Sequence, residues 1–195
     1  TTVLIIHPWR TQMGPRRKAK REAMQIEIIV STPCRAWLTD LPDAVDLGQD
    51  TVAAVLKEAG LTGREIEVGV RLTDDKQMRQ LNNDYRQSDK ATNVLSFAGD
   101  SGDGTAASDP RIPLLLGDIV LAHGVVSTEA RDQGKSLHDH FCHLLVHGTL
   151  HLLGLDHMDE EEARRMEARE VAILARMGIA DPYLLAGQRV SLDLT

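Results

Sequence analysis

The segment from His147 to His157 constrains this chain more than any other, because its three histidines are spaced to share one metal ion. His147 and His151 are four residues apart, and on a helix this spacing places both side chains on one face, about one turn apart. Gly154 suits the residue just past a helix end, where the backbone is left-handed. A chain that turns there can bring His157 back toward the same point. Three imidazoles with one open position are typical of a catalytic zinc site.

The complete pattern is His-x-x-x-His-x-x-Gly-x-x-His, which one large class of zinc proteases also uses. Those proteases have a glutamate after the first histidine as general base, whereas this chain has Gly148 at that position. The segment therefore predicts the metal ligands of the proteases without their base. The alternative interpretation is a helix with three unrelated histidines. A chain with eight histidines rarely produces the pair, the glycine and the third histidine together by chance.

Length and cysteine content favour one domain in a reducing compartment. The chain has 195 residues, which fits a single domain with an ample core. Cys34 and Cys142 form neither a disulfide framework nor a C-x-x-C motif. No apolar run approaches the ~18 residues of a membrane span. We therefore expect a cytoplasmic protein that does not associate with membranes.

The charge is unevenly distributed along the chain. The net charge is −7, and residues 24–195 are more acidic still, because six of the 22 basic residues lie in residues 1–23. This acidity disfavours broad, nonspecific binding of nucleic acid. Residues 1–23 are interpreted as a disordered leader, with a basic arm that touches RNA phosphates as the alternative. Residues 186–195 are interpreted as a C-terminal tail.

Hydrophobic periodicity predicts alternating strands and helices between the leader and the tail. Residues 99–113 are rich in Gly, Asp, Ser and Pro and predict a surface insertion. The strands are expected at 25–30, 65–72, the second half of 85–98 and 114–122, the last of these central in the sheet. The helices are expected at 44–58, after Thr73 as its N-terminal cap, at 125–134, at 136–153 and at 158–177.

Four motifs, which occur along the chain in the order expected for the family, resemble the YbeY family of bacterial zinc-dependent endoribonucleases of rRNA maturation. The resemblance covers most of residues 24–185. The first motif is the block His147-Gly148-x-x-His151-Leu152-x-Gly154-x-Asp156-His157. The others are Leu81-Asn82-x-x-Tyr85-Arg86-x-x-Asp89 with Thr92-x-Val94-Leu95-Ser96-Phe97, then Leu116-Gly117-Asp118-Ile119, and Asp181-Pro182-Tyr183.

The resemblance implies a fold, a metal and a substrate. The fold would be one compact α+β domain over residues 24–185. It would contain a small mixed four-stranded sheet packed with about five helices, and the metal site would lie on a helix and the following turn. One zinc ion would be held by His147, His151 and His157, with Arg86 facing the metal cleft. The substrate would be single-stranded RNA, in 16S rRNA 3′-end maturation and ribosome quality control. The partners would be the small ribosomal subunit and its assembly proteins.

The residues at such a site suit phosphodiester cleavage. A zinc ion would lower the pKa of its water toward ~7 and polarise a phosphoryl oxygen. Arg86 would offer a planar, charged fork that matches a phosphate. The alternative for Arg86 is a surface ion pair with Asp89. Gly148 cannot act as a general base, and the sequence does not identify the residue that does. Asp156 could orient an imidazole ligand, and the 2′-hydroxyl of the RNA could serve as the nucleophile in place of a water.

Two departures from the family pattern and two other functions remain to be considered. Asn93 stands where the family usually has Asp, and Leu155 replaces a usual aromatic residue. His143 lies on the same helix face as His147 and is interpreted as its neighbour there, with a cleft residue or an alternative metal ligand as the other possibilities. The shared histidine frame motivates a zinc protease, which the missing glutamate opposes. The acidic charge motivates a non-catalytic ribosome-assembly factor in which zinc only stabilises the domain.

Overall fold

The β-branched and apolar segments form one mixed sheet in the computed structural model, which describes residues 26–61, 65–99, 113–155 and 159–184. The strands are β1 (Ile26–Ser31), β2 (Ile66–Thr73), β3 (Val94–Ala98) and β4 (Leu114–Ala122). Their order is β1-β2-β4-β3, in which β3 runs antiparallel to β4 and the other pairs are parallel. The predicted four-stranded mixed sheet is confirmed, and so is the central position of β4.

Six helices lie in the described ranges, where about five were expected. They are α1 (Ala36–Asp40), α2 (Ala44–Glu58), α3 (Asp75–Arg86), α4 (His123–Asp132), α5 (Leu137–Leu152) and α6 (Glu160–Arg176). The additional helix, α1, has only five residues, which is too few for a hydrophobic period to reveal. None of the helices described is long and apolar enough to cross a bilayer.

The cap of α3 differs from the sequence prediction. The predicted cap of this helix is Thr73, but Thr73 is the last residue of β2. Its hydroxyl donates a hydrogen bond to the side-chain oxygen of Gln77. Asp74 is the N-cap, because its Oδ1 accepts a hydrogen bond of 2.8 Å from the backbone N–H of Gln77. Either residue type suits a cap, and the extent of β2 decides which of them takes the position.

Both faces of the sheet are buried, and α5 packs against the larger face. The smaller cluster lies on the α3 side and contains Met78, Leu95, Phe97, Val120 and Ala122. The larger cluster includes Trp37, Leu56, Val68, Ile119, Phe141 and Leu145, each fully buried or nearly so. Burying one such side chain stabilises the fold by roughly 1.5–3 kcal/mol. This packing holds α5 against the sheet through its apolar face, while its histidine face lies against α4 and α6.

The predicted turn after α5 is present. The helix ends at Leu152, and Gly154 has a φ of +85°. The backbone N–H of Leu155 donates to the carbonyl of Leu150 at 3.1 Å, and that of Gly154 donates to the carbonyl of His151 at 2.9 Å. This is the hydrogen-bond pattern of a helix that ends in a left-handed glycine. The residues of the predicted leader and tail, and nearly all of the 99–113 insertion, lie outside the described ranges and stay predictions.

Candidate metal centre

His147 and His151 meet on one face of α5, as their spacing predicts. Their Nε2 atoms are 3.1 Å apart, and their rings are nearly perpendicular, with centroids 4.5 Å apart. Two nitrogens bound tetrahedrally to one zinc at about 2.0–2.1 Å lie about 3.3 Å from each other. The observed separation is close to that value, so the pair fits a shared zinc ion.

The second nitrogen of each ring has its own acceptor. Nδ1 of His147 lies 2.8 Å from Oε1 of Glu170, and Nδ1 of His151 lies 2.9 Å from the carbonyl oxygen of Leu155. Both contacts assign the ring proton to Nδ1, because a carboxylate and a carbonyl only accept hydrogen bonds. Each Nε2 then carries the lone pair of its ring, and the two Nε2 atoms face each other at 3.1 Å. Histidines that bind metals are commonly oriented in this way.

The third predicted ligand, His157, lies outside the described residues, and so does Asp156. Within the ranges that are described, no three His, Cys, Asp or Glu side chains are grouped to hold a metal ion. The pair at 147 and 151 is therefore the part of the predicted ligand set that the structure brings together. The three-histidine site stays a prediction.

Glu170 on α6 is the residue of this centre that the sequence analysis missed. It is 1% exposed and accepts hydrogen bonds from His147, from Nε2 of His143 at 2.9 Å, and from the hydroxyl of Tyr183. Burial alone raises its pKa, but the hydrogen bonds from the two histidines and the tyrosine outweigh that effect and lower the pKa to about 2. Glu170 is consequently a buried carboxylate anion at neutral pH.

A sequence signal for Glu170 was present. It occupies the apolar stripe of α6 together with Met166, Ile173 and Leu174, at helical spacing. A glutamate in such a stripe is seldom buried unless it has a partner. The charge that interrupts the stripe therefore indicated a buried polar contact, although not which residue would make it.

Three further histidines, His123, His138 and His140, each contact a carboxylate. His140 Nε2 lies 2.9 Å from Glu129 Oε2, and His123 Nε2 lies 2.9 Å from Asp40 Oδ2. His138, on the more exposed first turn of α5, lies 3.0 Å from the adjacent Asp139. These contacts give the three histidines structural roles outside the pair at 147 and 151.

Asn93, which stands where the family usually has Asp, makes contacts that suit an amide better than a carboxylate. The side-chain amide of Asn93 donates to the carboxylate of Glu129 at 3.0 Å, and its Oδ1 accepts from the backbone N–H of Val94 at 2.7 Å. An aspartate at position 93 would face the Glu129 carboxylate with a like charge. Asparagine is therefore the residue type that fits the glutamate of this chain.

Arg86 is the last residue of α3, and the alternative interpretation gave it an ion pair with Asp89, which in the structure pairs with Arg79 instead. Both carboxylate oxygens of Asp89 accept from Arg79, at 2.7 and 2.6 Å. Partial burial lowers the pKa of Arg86 from its ordinary value, but an arginine remains charged at neutral pH. Among the described residues, Arg86 does not line the cleft beside His147, so its approach to the metal pair stays a prediction.

A cleft of about 600 Å³ borders His147 between α4, α5 and α6, and we call it the α5–α6 cleft. Its volume lies in the range of small-molecule sites. The residues that line it are Asn93, Val94, Glu129, Gln133, Lys135, His140, His143, Leu144, His147, Ala163, Met166, Glu167, Glu170, Pro182 and Tyr183. Through His147, the candidate metal centre therefore borders a space that can receive part of a substrate.

Gly148 shows why the protease base is absent. A Cβ at this position would lie 3.0 Å from Cγ2 of Ile119 and 3.0 Å from Oγ of Ser96. The Ser96 hydroxyl also donates to the carbonyl of Gly148 at 3.2 Å, so β3 and α5 are closely packed here. A glutamate at this position would push a carboxylate into the buried interface between helix and sheet.

We expect Gly148→Ala to lower the free energy of unfolding by about 1 kcal/mol, because overpacking outweighs the better helix propensity of alanine. Gly48→Ala in α2 is the matched control. Its Cβ would meet its neighbours at ordinary distances of 3.6 to 3.8 Å, so we expect a gain of about 0.5–1 kcal/mol. Urea unfolding of both variants without metal measures the difference. Equal effects of the two substitutions would contradict close packing at position 148.

Comparison with known proteins identifies similar sequences over most of the chain. Residues 39–178 match the family model described as Endoribonuclease YbeY. A protein named Endoribonuclease YbeY from Paramagnetospirillum magneticum is 50% identical over 158 residues, covering 81% of this chain and 96% of that protein. One of the same name from Laribacter hongkongensis is 44% identical over 157 residues, covering 80% and 90%. A solution structure from Thermotoga maritima is similar with a TM-score of 0.46 and 20% identity, covering 79% of this chain and 92% of that one.

Proposed function

The chain belongs to the Endoribonuclease YbeY family, and from this premise we propose that it is a zinc-dependent endoribonuclease that cleaves single-stranded RNA. We place this activity in 3′-end maturation of 16S rRNA and in late ribosome quality control. The small ribosomal subunit and its assembly proteins are the proposed partners.

The observation that supports a metal-dependent reaction is the orientation of the pair on α5. His147 and His151 present their Nε2 lone pairs to one point, while their Nδ1 protons are held by Glu170 and by the carbonyl of Leu155. Zinc suits neutral imidazole ligands in a tetrahedral site. The proposed ligands are His147, His151 and His157. A zinc ion bound there supplies a Lewis acid toward a phosphoryl oxygen.

The described residues contribute orientation and charge. Glu170 is buried and ionised, so it fixes the tautomer of His147 and favours a cation on the far side of the ring. The Leu155 carbonyl does the same for His151 through the turn that Gly154 permits. Arg86 is proposed to bind the phosphate and to stabilise the negative charge that develops on its oxygens during cleavage.

Metal dependence and strand preference are tested together. The purified protein is incubated with a single-stranded RNA and with its duplex, before and after chelation and after zinc is restored. We expect cleavage of the single strand that is lost on chelation and regained with zinc. Cleavage of equal rate by His147→Ala would indicate a contaminating nuclease and contradict the proposal.

The product ends identify the nucleophile that the sequence left open. Attack by the neighbouring 2′-hydroxyl gives a 2′,3′-cyclic phosphate, whereas attack by water leaves a linear phosphate on one fragment. Mass spectrometry of the fragments separates the two routes. An RNA with a 2′-O-methyl group at the cleaved nucleotide would remain whole only in the first case.

We expect Glu170→Gln to weaken zinc binding by about 10- to 100-fold, as loss of a partner that orients a metal ligand commonly does. An amide accepts hydrogen bonds through only one of its two terminal atoms, so it cannot serve His143 and His147 together. Competition with a chromogenic chelator measures the affinity. The control is Glu160→Gln on the same helix, where the side chain is 94% exposed. Unchanged affinity in Glu170→Gln would show that the carboxylate does not support the site.

The non-catalytic alternative makes a different prediction in cells. If zinc only stabilised the domain of an assembly factor, a metal-site variant that still folds would restore ribosome maturation in a deletion strain. Under the proposed function, the same variant accumulates 16S rRNA precursors. Northern analysis of the 3′ end therefore decides between the two roles. Peptide hydrolysis that disappears in His147→Ala would instead favour the protease.

A further inference from the structure

Tyr183 is an exposed aromatic residue that is nevertheless held in place. Its hydroxyl donates to the buried carboxylate of Glu170, and its backbone N–H donates to Asp181 Oδ1 at 2.9 Å. Its ring meets the ring of His143 edge-on, at a centroid distance of 5.5 Å and an angle of 82°. The residue is still 43% exposed and lines the α5–α6 cleft. The ring is thus positioned before any ligand arrives, which reduces the entropy lost on binding.

The charges of the cleft oppose a phosphate. Glu129, Glu167 and Glu170 contribute three carboxylates to its walls, and Lys135 contributes one ammonium group. An RNA backbone that entered this space would bring further negative charge close to these carboxylates. An uncharged, planar group with hydrogen-bonding edges suits the cleft better, because it adds no charge beside these carboxylates and because Gln133 and Lys135 also line the cleft with hydrogen-bond donors.

Single-stranded RNA carries such groups beside every phosphate. Unpaired bases commonly stack on tyrosine rings in proteins that bind single strands. His147 lines the cleft, so a base that occupies the cleft lies beside one of the two described histidines of the metal centre, and its phosphate need not enter among the carboxylates. We infer that the α5–α6 cleft is a subsite for one unpaired nucleobase of the RNA, which stacks on the ring of Tyr183. This inference rests on the proposed function and names where its substrate binds.

Binding of abasic RNAs tests the stacking. Zinc-loaded protein is titrated with a single-stranded 2′-O-methyl RNA, checked to remain whole, and with a series in which one nucleotide at a time lacks its base. For the wild type, we expect one position at which loss of the base weakens binding by roughly tenfold, the usual effect of one stacked base. With Tyr183→Leu, the intact RNA binds roughly tenfold more weakly, and loss of that same base has an effect of less than about twofold.

Tyr183→Phe separates the ring from the hydroxyl. Both substitutions remove the hydrogen bond to Glu170, but only Leu removes the ring, so Phe is expected to keep the tenfold response to the abasic position. An equal abasic response in wild type and Tyr183→Leu at every position would overturn the subsite. Cleavage assays on natural RNA distinguish this failure from failure of the proposed function. If the RNA is cut but Tyr183→Leu keeps the abasic response of the wild type, the subsite alone is contradicted. If Tyr183→Leu removes that response but no RNA is cut, the nuclease alone is contradicted.

Discussion

His151→Ala is expected to abolish stoichiometric zinc binding and to slow RNA cleavage by at least about 10³-fold. The Nε2 of His151 lies 3.1 Å from that of His147, so the substitution removes one of two converging lone pairs. Lewis-acid stabilisation is worth several kcal/mol, and each ~1.4 kcal/mol changes a rate tenfold. Elemental analysis gives the zinc content, and single-turnover cleavage of a labelled RNA gives the rate.

The control lies on the same helix. His138→Ala also removes an imidazole from α5, but the ring of His138 is 44% exposed and contacts only the adjacent Asp139 among the contacts described. We expect its zinc content and its cleavage rate to equal those of the wild type. His151 is buried, so its replacement could disturb the fold, and circular dichroism is used to check that His151→Ala remains folded. A folded His151→Ala with full zinc content would remove the basis of the proposed site.

The parts of this fold that the sequence predicted are those with local causes. Alternation of β-branched residues marks β1 and β2, and continuous apolarity marks β4, because a central strand is buried on both faces. The end of α5 was predictable because Gly154 has a conformation that few other residues accept. The meeting of His147 and His151 follows from helix geometry alone. None of these predictions required knowledge of how the helices pack.

The parts that the sequence did not predict depend on contacts between distant elements. Glu170 reaches His147 across 23 residues, and His140 meets Glu129 across 11. Each contact requires that one helix lie beside another in one particular rotation, which a hydrophobic period does not determine. The cleft is unpredictable for the same reason, since its walls come from α4, α5, α6 and residues 182–183. The metal ligands were therefore easier to find than the residues that orient them.

Contacts between distant elements also explain a departure from the family pattern. Asn93 stands where the family usually has Asp, and it donates a hydrogen bond to Glu129, which in turn contacts His140. The substitution therefore belongs to a connected polar network rather than to an isolated surface position. Within such a network we expect effects of mutations to be non-additive, so Asn93→Asp and Glu129→Gln together should cost less stability than the sum of their separate effects.

Arg86→Ala is expected to reduce the cleavage rate at saturating RNA by about 10²- to 10³-fold while leaving the zinc content unchanged. A fixed cation is worth this much where negative charge develops in a transition state, because the charge on the phosphoryl oxygens increases as the bond breaks. Arg86→Lys keeps the charge but loses the planar fork, so we expect a rate between those of Arg86→Ala and the wild type. Single-turnover rates on zinc-loaded proteins provide the comparison.

Arg79→Ala is the matched control for Arg86, because it removes a guanidinium from the same helix. Arg79 forms an exposed ion pair with Asp89, of a kind that contributes about 0–1 kcal/mol to stability. We expect its cleavage rate to stay within about twofold of the wild type, because the loss of so weak a surface ion pair should disturb neither the fold nor the metal centre. The two variants therefore compare the loss of a guanidinium at two positions on α3. If Arg79→Ala and Arg86→Ala had equal rates, Arg86 would be a second surface cation, and the phosphate would be bound by another group.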